Sequence, residues 1–349
     1  MFVKGNEAIA MGALTAKARC YFGYPITPQN DIPEFLSRHL PMAGGEFVQA
    51  ESEIASANML LGAAACGIRA FTSSSSPGIS LMQEAFSYMA SSEIPGVIVN
   101  INRGGPGLGD IGPAQGDYFQ SVKGGGHGDY HLLVLAPATC QEAYDFIVEA
   151  FNLAYKYRNP VMVLGDAILG QMKEPITAWT SDYVDLKQGA AWRLEGAVGR
   201  PPRILKSLFL EENLLANHNR HLQNKYRAMQ AEVRADIFET TDAELVVVAY
   251  GSIGRIAKST VRTLRRNGHK VGLVRPITLF PFPSGLLRDL ADQGKHFITI
   301  EHNTGQMVED VRLAVRGLAD SDFFGAYPGD LPSSDDFEEP ILKSLKRAI

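Results

Sequence analysis

The sequence predicts an α/β fold built on a doubly wound parallel sheet. Short apolar runs recur through residues 1–170 without the polar alternation of a half-exposed strand. Segments of helical length and pattern separate these runs. Strands that are apolar throughout are buried on both faces, which is typical of a parallel sheet covered by helices on either side.

The elements follow from these patterns in chain order. Strands are predicted at residues 20–25, 47–49, 70–73, 96–101, 132–137 and 161–166, and helices at 6–18, 28–39, 52–66, 77–91 and 139–157. A second α/β unit is predicted with strands at 245–250, 270–276 and 296–301 and helices at 253–267, 284–293 and 306–317. The first predicted domain is therefore residues 1–170, followed by a linker with a charged helix at 171–243. The second domain is residues 244–349, and it includes a turn-rich tail at 327–340.

The composition argues against several classes of protein. A net charge of −5, without a long basic run, gives no reason to expect a nucleic-acid or membrane partner. No apolar stretch reaches the ~18 residues of a spanning helix, and the first residues lack a signal-peptide core, so a cytoplasmic location is expected. Cys20, Cys66 and Cys140 are sparse and form no C-x-x-C, which suggests a reducing compartment and excludes a zinc knuckle or iron–sulfur ligand set.

The segment YPITPQN, residues 24–30, ends the first long predicted strand. Two prolines flank Thr27 and restrict the backbone on either side, which would hold its hydroxyl in a rigid turn. The alternative is a helix entry in which Thr27 is the cap and Pro28 is the first helical residue.

Glu53 is a candidate ligand-binding carboxylate at the start of a predicted helix. It heads an apolar stripe on that helix: Ala57, Leu60, Leu61 and Ala64. A favourable helix-dipole term of ~0.3–1 kcal/mol would explain an exposed glutamate such as Glu51. It does not offset the several kcal/mol that burial of an unpaired carboxylate costs. Glu53 should therefore have a partner, and a ligand proton is one candidate.

The glycine-rich stretch NRGGPGLGDIG, residues 102–112, follows another predicted strand. Its G-x-G-x-x-G at 107–112 is followed by Pro113 and more loop instead of a helix, so a nicotinamide site is not expected. Arg103, at the strand end, fits bidentate binding of a carboxylate. The alternative is an ion pair that anchors the loop.

Other strand ends carry weaker signals. In KGGGHGDY, residues 123–130, His127 could transfer a proton beside Asp129, although a turn histidine is the more common case. SSSSPG at 73–78 is consistent with a ligand-binding helix N-terminus or with an ordinary capped helix. Ordinary turns are favoured over weak anion sites at AYGSIG (249–254) and EHNTGQM (301–307).

Several stretches together resemble one family closely and in collinear order. They are GNEAIAMGAL, GYPITP, QAESE, TSSSSPGISLMQEA, NRGGPGLG, GGGHGDY, KYRNPVMVLGD and RPITLFPFP. The family is the α-type subunit of the 2-oxoacid:ferredoxin oxidoreductases, and the sequence most resembles the 2-ketoisovalerate type. The resemblance implies a pyrimidine-type domain of the thiamine diphosphate-binding fold, followed by a domain like the C-terminal one of transketolase.

The resemblance also implies an activity. Such enzymes use thiamine diphosphate to decarboxylate a 2-oxoacid oxidatively with coenzyme A, and pass the electrons through iron–sulfur clusters to ferredoxin. Glu53 would be the catalytic glutamate that hydrogen-bonds the cofactor's pyrimidine, Thr27 would contact the substrate, and Arg103 would hold its carboxylate. Three residues of the first loop would border the cofactor: Tyr24, Pro25 and Ile26.

The motifs that are missing imply partners. Thiamine enzymes usually bind the diphosphate and its magnesium through Gly-Asp-Gly, which this sequence lacks. The resemblance therefore implies a β-type subunit that holds magnesium and the diphosphate, a ferredoxin-like subunit or domain that holds the clusters, and a γ-type subunit as an optional partner. No metal ligand is expected in this chain.

The residues leave the substrate and the chemistry open. Gly107-Leu108-Gly109 replaces the Ser-Thr-Gly that is typical of 2-oxoglutarate relatives, and Leu108 fits an apolar side chain. A 2-oxoglutarate- or pyruvate-specific member of the family is the alternative. A transketolase-like or decarboxylase half and a non-catalytic scaffold subunit are the two other hypotheses.

Overall fold

A seven-stranded sheet forms the centre of the N-terminal half. The structure, a computed structural model, describes residues 1–179 and 191–348. The six strands predicted here are all present and mutually parallel: β2 (Cys20–Gly23), β3 (Glu46–Gln49), β4 (Ala70–Ser74), β5 (Gly96–Asn102), β6 (Leu133–Leu135) and β7 (Pro160–Asp166). They lie in the order β6-β7-β5-β4-β2-β3, which confirms the parallel sheet.

Helices cover both faces of this sheet, as a doubly wound fold requires. On one face lie α1 (Gly5–Thr15), α2 (Asp31–Met42) and α6 (Cys140–Tyr157), and on the other α3 (Glu53–Ala65) and α4 (Ser76–Ser91). In α6, Tyr144, Ile147 and Phe151 are fully buried at helical spacing. The Thr139 hydroxyl caps this helix by accepting a hydrogen bond from the Glu142 N–H at 3.0 Å.

Short elements that the sequence did not predict flank this layer. They are β1 (Phe2–Lys4), paired antiparallel with β8 (Lys173–Pro175), and the single-turn helices α5 (Tyr118–Val122) and α7 (Ala167–Gln171). Segments of three to five residues are too short to show a period, so pattern alone does not reveal them.

The predicted connecting segment, 171–243, contributes a strand to each of two sheets, namely β8 to the small sheet with β1 and a later strand to the sheet of the second domain. Its residues 180–190 lie outside the described residues. The charged helix is α8 (Leu214–Ala228), which buries Leu222 and Tyr226 and is followed by a 3₁₀ turn at Met229–Glu232. The segment does not end as a linker, because β9 (Ala235–Phe238) already pairs antiparallel with a strand of the second sheet.

The second domain contains a five-stranded sheet with helices on both faces. Its other strands are β10 (Leu245–Val248), β11 (Val271–Pro276), β13 (His296–Glu301) and β14 (Ser321–Gly325), in the order β14-β13-β10-β11-β9. Helices α9 (Gly251–Arg266) and α12 (Glu338–Ala348) cover one face, and α10 (Ser284–Asp292) and α11 (Met307–Val315) the other. Strand β14 and helix α12 were not predicted. None of the described helices has the length and hydropathy needed to cross a membrane.

One strand crosses between the domains. The sequence assigned residues 244–349 to the second domain, but β12 (Thr278–Phe280) pairs antiparallel with β6 at the edge of the first sheet. An edge strand needs hydrogen bonds on one side only, which suits a segment flanked by prolines. Apolar side chains from both domains form one continuous core that includes Val134, Leu279 and Leu287.

The carboxyl ends of the parallel strands bring the candidate residues to one edge of the first sheet. Thr27 follows β2, Glu53 follows β3 and Arg103 follows β5. In register, Asn102 of β5 lies opposite Asp166 of β7, so both strands end in polar side chains. Ligands of open parallel sheets bind at this edge, so these residues are candidates for a binding site.

Candidate functional site

Glu53 is the first residue of α3 and only 7 % of it is exposed. Ser52 caps the helix, because its hydroxyl accepts a hydrogen bond from the Ala55 N–H at 3.2 Å. The stripe behind Glu53 packs as predicted, with Ala57, Leu60 and Ala64 fully buried. Glu51, in contrast, is exposed.

The Glu53 carboxylate has no protein partner in the part of the chain that the structure describes. Neither an ion pair nor a hydrogen bond reaches it. A buried carboxylate without a partner costs several kcal/mol, and a helix dipole offsets only part of that cost. The site therefore fits a ligand that shares a proton with this carboxylate, such as a ring nitrogen of a bound heterocycle.

Gly78, in the first turn of α4, makes room for the Glu53 side chain. A Cβ at position 78 would lie 2.6 Å from Glu53 Oε1 and 2.8 Å from its Cγ. It would also lie 2.1 Å from the Ser74 hydroxyl, which is buried and has no partner among the described residues. Helix α4 begins at Ser76 with Pro77 in its first turn, and Ser75 makes no side-chain capping bond.

The loop at residues 24–30 is fixed by hydrogen bonds from polar side chains elsewhere in the fold. Thr27 is exposed, while Gln29 beneath it is fully buried and accepts a hydrogen bond from the Ser73 hydroxyl at 2.5 Å. The Pro28 carbonyl accepts hydrogen bonds from Asn6 Nδ2 at 2.9 Å and Gln171 Nε2 at 3.1 Å. These bonds leave the Thr27 hydroxyl on the outer surface of a fixed loop.

The alternative interpretation of Thr27 as a helix cap is wrong. Helix α2 begins at Asp31, and Asn30 occupies the capping position without a side-chain capping bond. Within the described ranges, the Thr27 hydroxyl accepts one hydrogen bond, a long one of 3.3 Å from Asn30 Nδ2. Tyr24, Pro25 and Ile26, the other residues predicted here, lie at the surface, Tyr24 being 39 % exposed.

Arg103 is buried beside this loop. Its Nη1 donates to the Thr27 carbonyl at 3.0 Å and its Nη2 to the Leu108 carbonyl at 2.8 Å. No carboxylate among the described residues pairs with the guanidinium, and its Nε is buried without a partner. The predicted loop-anchoring ion pair is therefore replaced by bonds to two carbonyls, and the positive charge has no counterion within this part of the chain.

A cavity of about 490 Å³ lies next to Thr27. It is lined by residues from four segments of the chain, represented by Asn30, Ile111, Ile168 and Leu331. Its walls are largely apolar, and Leu331 comes from the second domain. Thr27 and residues 111–113, at the end of the glycine-rich stretch, therefore border one space. Arg103 does not line it, but is bonded to the Thr27 carbonyl at its edge.

His127 and Asp129 lie elsewhere. Both are exposed and line a separate cavity of about 610 Å³, together with Tyr88 of α4, Leu215 of α8 and Phe209 from the segment before α8. The His127 carbonyl accepts a hydrogen bond from the Ser87 hydroxyl at 2.5 Å, in the third turn of α4. Their side chains do not join Glu53, Thr27 and Arg103 in this structure.

The strand ends of the second domain are satisfied internally. The Glu301 carboxylate accepts hydrogen bonds from the N–H groups of Met307 at 2.8 Å and Val308 at 2.9 Å, which occupies the N-terminus of α11. Burial raises the pKa of Glu301. The weak anion site considered at 301–307 is thus filled by the chain's own carboxylate. No cluster of His, Cys, Asp or Glu suited to a metal ion occurs in the described ranges.

Sequence reasoning missed two residues of this site. The sequence does not reveal the role of Gly78, because nothing in one helix shows which side chain of the next helix it must accommodate. Nor does it reveal that Gln29 is buried, because a polar residue beside Pro28 is typical of an exposed turn.

Two family models match consecutive parts of the chain. Residues 11–238 match the model described as pyruvate flavodoxin/ferredoxin oxidoreductase, thiamine diphosphate-binding. Residues 243–337 match the model described as pyruvate:ferredoxin oxidoreductase core domain II.

Curated relatives match over nearly the whole length. The ketoisovalerate oxidoreductase subunit VorB of Methanothermobacter thermautotrophicus is 51% identical over 340 residues, covering 97% of this chain and 96% of the relative. The 2-oxoglutarate synthase subunit KorA of Methanocaldococcus jannaschii is 35% identical over 364 residues, covering 98% of this chain and 99% of the relative.

Solved structures share the fold. The 2-oxoglutarate:ferredoxin oxidoreductase of Magnetococcus marinus, solved with 2-oxoglutarate, coenzyme A and succinyl-CoA, superposes with a TM-score of 0.88 at 24% identity and covers 99% of this chain. This chain spans 65% of that longer one. A split-gene transketolase in its inactive β4 tetramer superposes with a TM-score of 0.63 at 13% identity and covers 99% of this chain and 98% of its own. From the family models and the curated relatives, this chain belongs to the 2-oxoacid:ferredoxin oxidoreductase family, as the subunit with the thiamine diphosphate-binding domain.

Proposed function

We propose that this chain is the catalytic α-type subunit of an enzyme that oxidatively decarboxylates a branched-chain 2-oxoacid such as 2-ketoisovalerate. The products would be the acyl-CoA, carbon dioxide and reduced ferredoxin. The observation that carries the proposal is the buried Glu53 carboxylate, which has no partner among the described residues and lies at the carboxyl edge of a parallel sheet. The naming of the VorB relatives supports the choice of substrate.

The residues around Glu53 fit the pyrimidine ring of thiamine diphosphate. Glu53 would accept a proton-sharing hydrogen bond from the ring, and a charge-assisted bond of this kind contributes ~1.5–3 kcal/mol. Gly78 leaves the carboxylate its space, and the exposed surface of Tyr24, Pro25 and Ile26 would border the ring. When bound, the cofactor supplies a nucleophilic carbon and accepts the electrons left by carbon dioxide.

Arg103 and Thr27 would bind the substrate. The guanidinium has no carboxylate partner among the described residues, so a substrate carboxylate could pair with it without displacing one. The Thr27 hydroxyl is exposed at the same place and could orient the substrate beside the reacting carbon. Both side chains would act by binding and orientation, since their neighbours hold them in fixed positions.

The cavity next to Thr27 supports an apolar substrate side chain. Ile111, Ile168 and Leu331 line this cavity. Its described lining contains an acidic residue, Asp31, but no lysine or arginine. The second carboxylate of 2-oxoglutarate would require a cation here. Asp31 in the wall is itself paired with Lys4 at 2.8 Å, so none of the described lining residues offers an unpaired cation, which supports a branched-chain substrate over 2-oxoglutarate.

The remaining cofactors belong to partners in this proposal. The chain has no Gly-Asp-Gly and only three cysteines, all free, so a β-type subunit would hold magnesium and the diphosphate and a ferredoxin-like subunit or domain the clusters. A γ-type subunit is an optional further partner, and coenzyme A is the co-substrate. The free cysteines support a reducing, cytoplasmic setting.

A substrate panel on the purified complex tests the proposal. Reduction of a viologen dye is followed with coenzyme A and either 2-ketoisovalerate, 2-oxoglutarate or pyruvate. We expect the highest kcat/KM with 2-ketoisovalerate. A higher value with 2-oxoglutarate or pyruvate would overturn the substrate, and release of carbon dioxide without dye reduction would overturn the redox chemistry.

A further inference from the structure

Gln115 connects the end of the glycine-rich loop to the second domain. It is 2 % exposed. Its Nε2 donates to the Tyr250 carbonyl at 3.0 Å, and its Oε1 accepts from the His302 N–H at 3.1 Å. Its backbone N–H donates to the His302 carbonyl at 2.8 Å, and its carbonyl accepts from Asn303 Nδ2 at 2.8 Å. Backbone and side chain are thus both bonded to strand ends of the other domain.

The residues that follow extend this attachment. The Gly116 carbonyl accepts a hydrogen bond from Gln306 Nε2 at 2.8 Å, and Gln306 Oε1 accepts from the Phe119 N–H at 2.7 Å. The Tyr118 hydroxyl donates to Asp310 at 2.7 Å. Residues 116–119 are therefore fixed on the N-terminal end of α11.

The same segment leads directly back to Arg103. Arg103 and Pro113 form a β-bridge, and the Gly104 N–H donates to the Gly112 carbonyl at 3.0 Å. These contacts close residues 104–113 into a loop whose two ends lie together. Inside the loop, the Leu108 carbonyl accepts the hydrogen bond from Arg103 Nη2. The position of the loop therefore determines one of the two bonds that orient the guanidinium.

We propose that Gln115 is a positioning residue for substrate binding, through which the second domain holds the glycine-rich loop and so orients Arg103. The proposal rests on the substrate role proposed above for Arg103. It assigns the second domain a part in substrate binding, in addition to the contribution of Leu331 to the cavity wall. Five hydrogen bonds join this one buried glutamine to the second domain, the fifth being a long one of 3.4 Å from the Tyr250 hydroxyl to the Gln115 carbonyl, and they exceed what a simple turn requires.

Two variants of the assembled enzyme test this role. Gln115→Asn shortens the side chain, so that it no longer reaches both the Tyr250 carbonyl and the His302 N–H. Gln306→Ala removes the neighbouring bonds at a half-exposed position that should tolerate the change. We expect KM for the 2-oxoacid to rise about tenfold in Gln115→Asn and less in Gln306→Ala, with KM for coenzyme A unchanged. Amides of residues 104–113 should exchange hydrogen faster in both.

A matched control separates positioning from stability. Arg275→Met breaks the interdomain ion pair of Arg275 with Glu142, whose N···O distance is 2.6 Å and which does not touch the loop. It should lower the melting temperature and leave KM for the 2-oxoacid unchanged. If Arg275→Met raises KM as much as Gln115→Asn does, the role of Gln115 is merely structural and the proposal is wrong.

Arg103→Ala separates the substrate role of Arg103 from the positioning role of Gln115. If Arg103→Ala raises KM and neither Gln115→Asn nor Gln306→Ala changes KM or loop exchange, the positioning role is overturned and the substrate site stands. If Arg103→Ala leaves KM unchanged, the substrate role of Arg103 is overturned. In that case, wild-type rates of amide hydrogen exchange at residues 104–113 of Gln115→Asn would also show that Gln115 does not hold the loop, whatever the activity.

Discussion

Gly78 and Glu53 occupy complementary space: a Cβ on Gly78 would lie 2.6 Å from Glu53 Oε1, closer than real side chains approach. The glycine belongs to the first turn of α4 and the glutamate to the first turn of α3. Two helices on the same face of the sheet thus cooperate, one supplying the carboxylate and the other leaving room for it.

Gly78→Ala should therefore displace the Glu53 carboxylate. We expect kcat to fall at least about tenfold, because a misplacement of 1 Å in a catalytic group can cost about a hundredfold. Dye-linked turnover of the assembled enzyme measures it. Gly285→Ala is the matched control, since Gly285 lies in the first turn of α10 and a Cβ there would meet nothing within 4 Å. Equal activity in both variants would show that a Cβ at position 78 does not displace the Glu53 carboxylate.

Glu53→Gln should remove turnover and leave the assembly intact. Loss of a positioned proton-sharing group typically costs ~10²–10⁴-fold in rate. Replacement of a buried unpaired carboxylate by a neutral amide should not destabilise the fold. Turnover and gel filtration of the complex measure the two effects. Glu51→Gln, at the exposed neighbouring glutamate, should behave as the unmodified enzyme, and wild-type activity in Glu53→Gln would refute its role.

Arg103→Lys should raise KM for the 2-oxoacid about 10- to 100-fold. A lysine ammonium cannot bond the carbonyls of Thr27 and Leu108 and at the same time hold a carboxylate in bidentate fashion. Steady-state kinetics over a range of 2-oxoacid concentrations measures the change. Arg38→Lys, at an exposed arginine paired with Glu34, is the control and should leave KM unaltered. An unaltered KM in Arg103→Lys would exclude the guanidinium from the site.

Lys225, on the connecting helix α8, should make the free energy of unfolding of the chain depend on pH. Its side chain is 8% exposed, and its Nζ donates to the Arg158 carbonyl at 3.2 Å and to Glu93 at 3.4 Å. Burial lowers its pKa from 10.5 to about 8. Between these values the unfolded chain binds a proton that the folded chain does not, so stability rises with pH in this window, by up to ~3 kcal/mol.

Urea unfolding of the purified chain and of Lys225→Met, from pH 7 to pH 10, measures this contribution. The free energy of unfolding of the wild type relative to the variant should be constant below about pH 8 and should increase above it. A difference that stays flat across the range would show that the ammonium is not desolvated in the folded protein.

The sequence predicted the central strands because each is a continuous apolar run. The six parallel strands of the first sheet and three strands of the second lie where the runs are. The pieces it missed are short or at edges, such as β12, whose residues Thr278–Phe280 return to the first sheet. Nothing in three residues between prolines specifies which of two sheets they join, since tertiary packing decides it.

The candidate site was predictable to the extent that burial follows from helix periodicity. The stripe behind Glu53 predicted its burial, and in the structure Glu53 is buried. Contacts between separate loops were not predictable. The bonds of Arg103 to the carbonyls of Thr27 and Leu108, and those of Gln115 to the second domain, join segments whose proximity only the folded sheet creates.

The most direct test of the central claim is a structure of the assembled enzyme with thiamine diphosphate bound. We expect a pyrimidine ring nitrogen within hydrogen-bond distance, ~2.6–3.2 Å, of the Glu53 carboxylate, with the ring next to the loop at 24–26. A pyrimidine ring bound to another group, with the Glu53 carboxylate turned toward bulk water, would contradict the account.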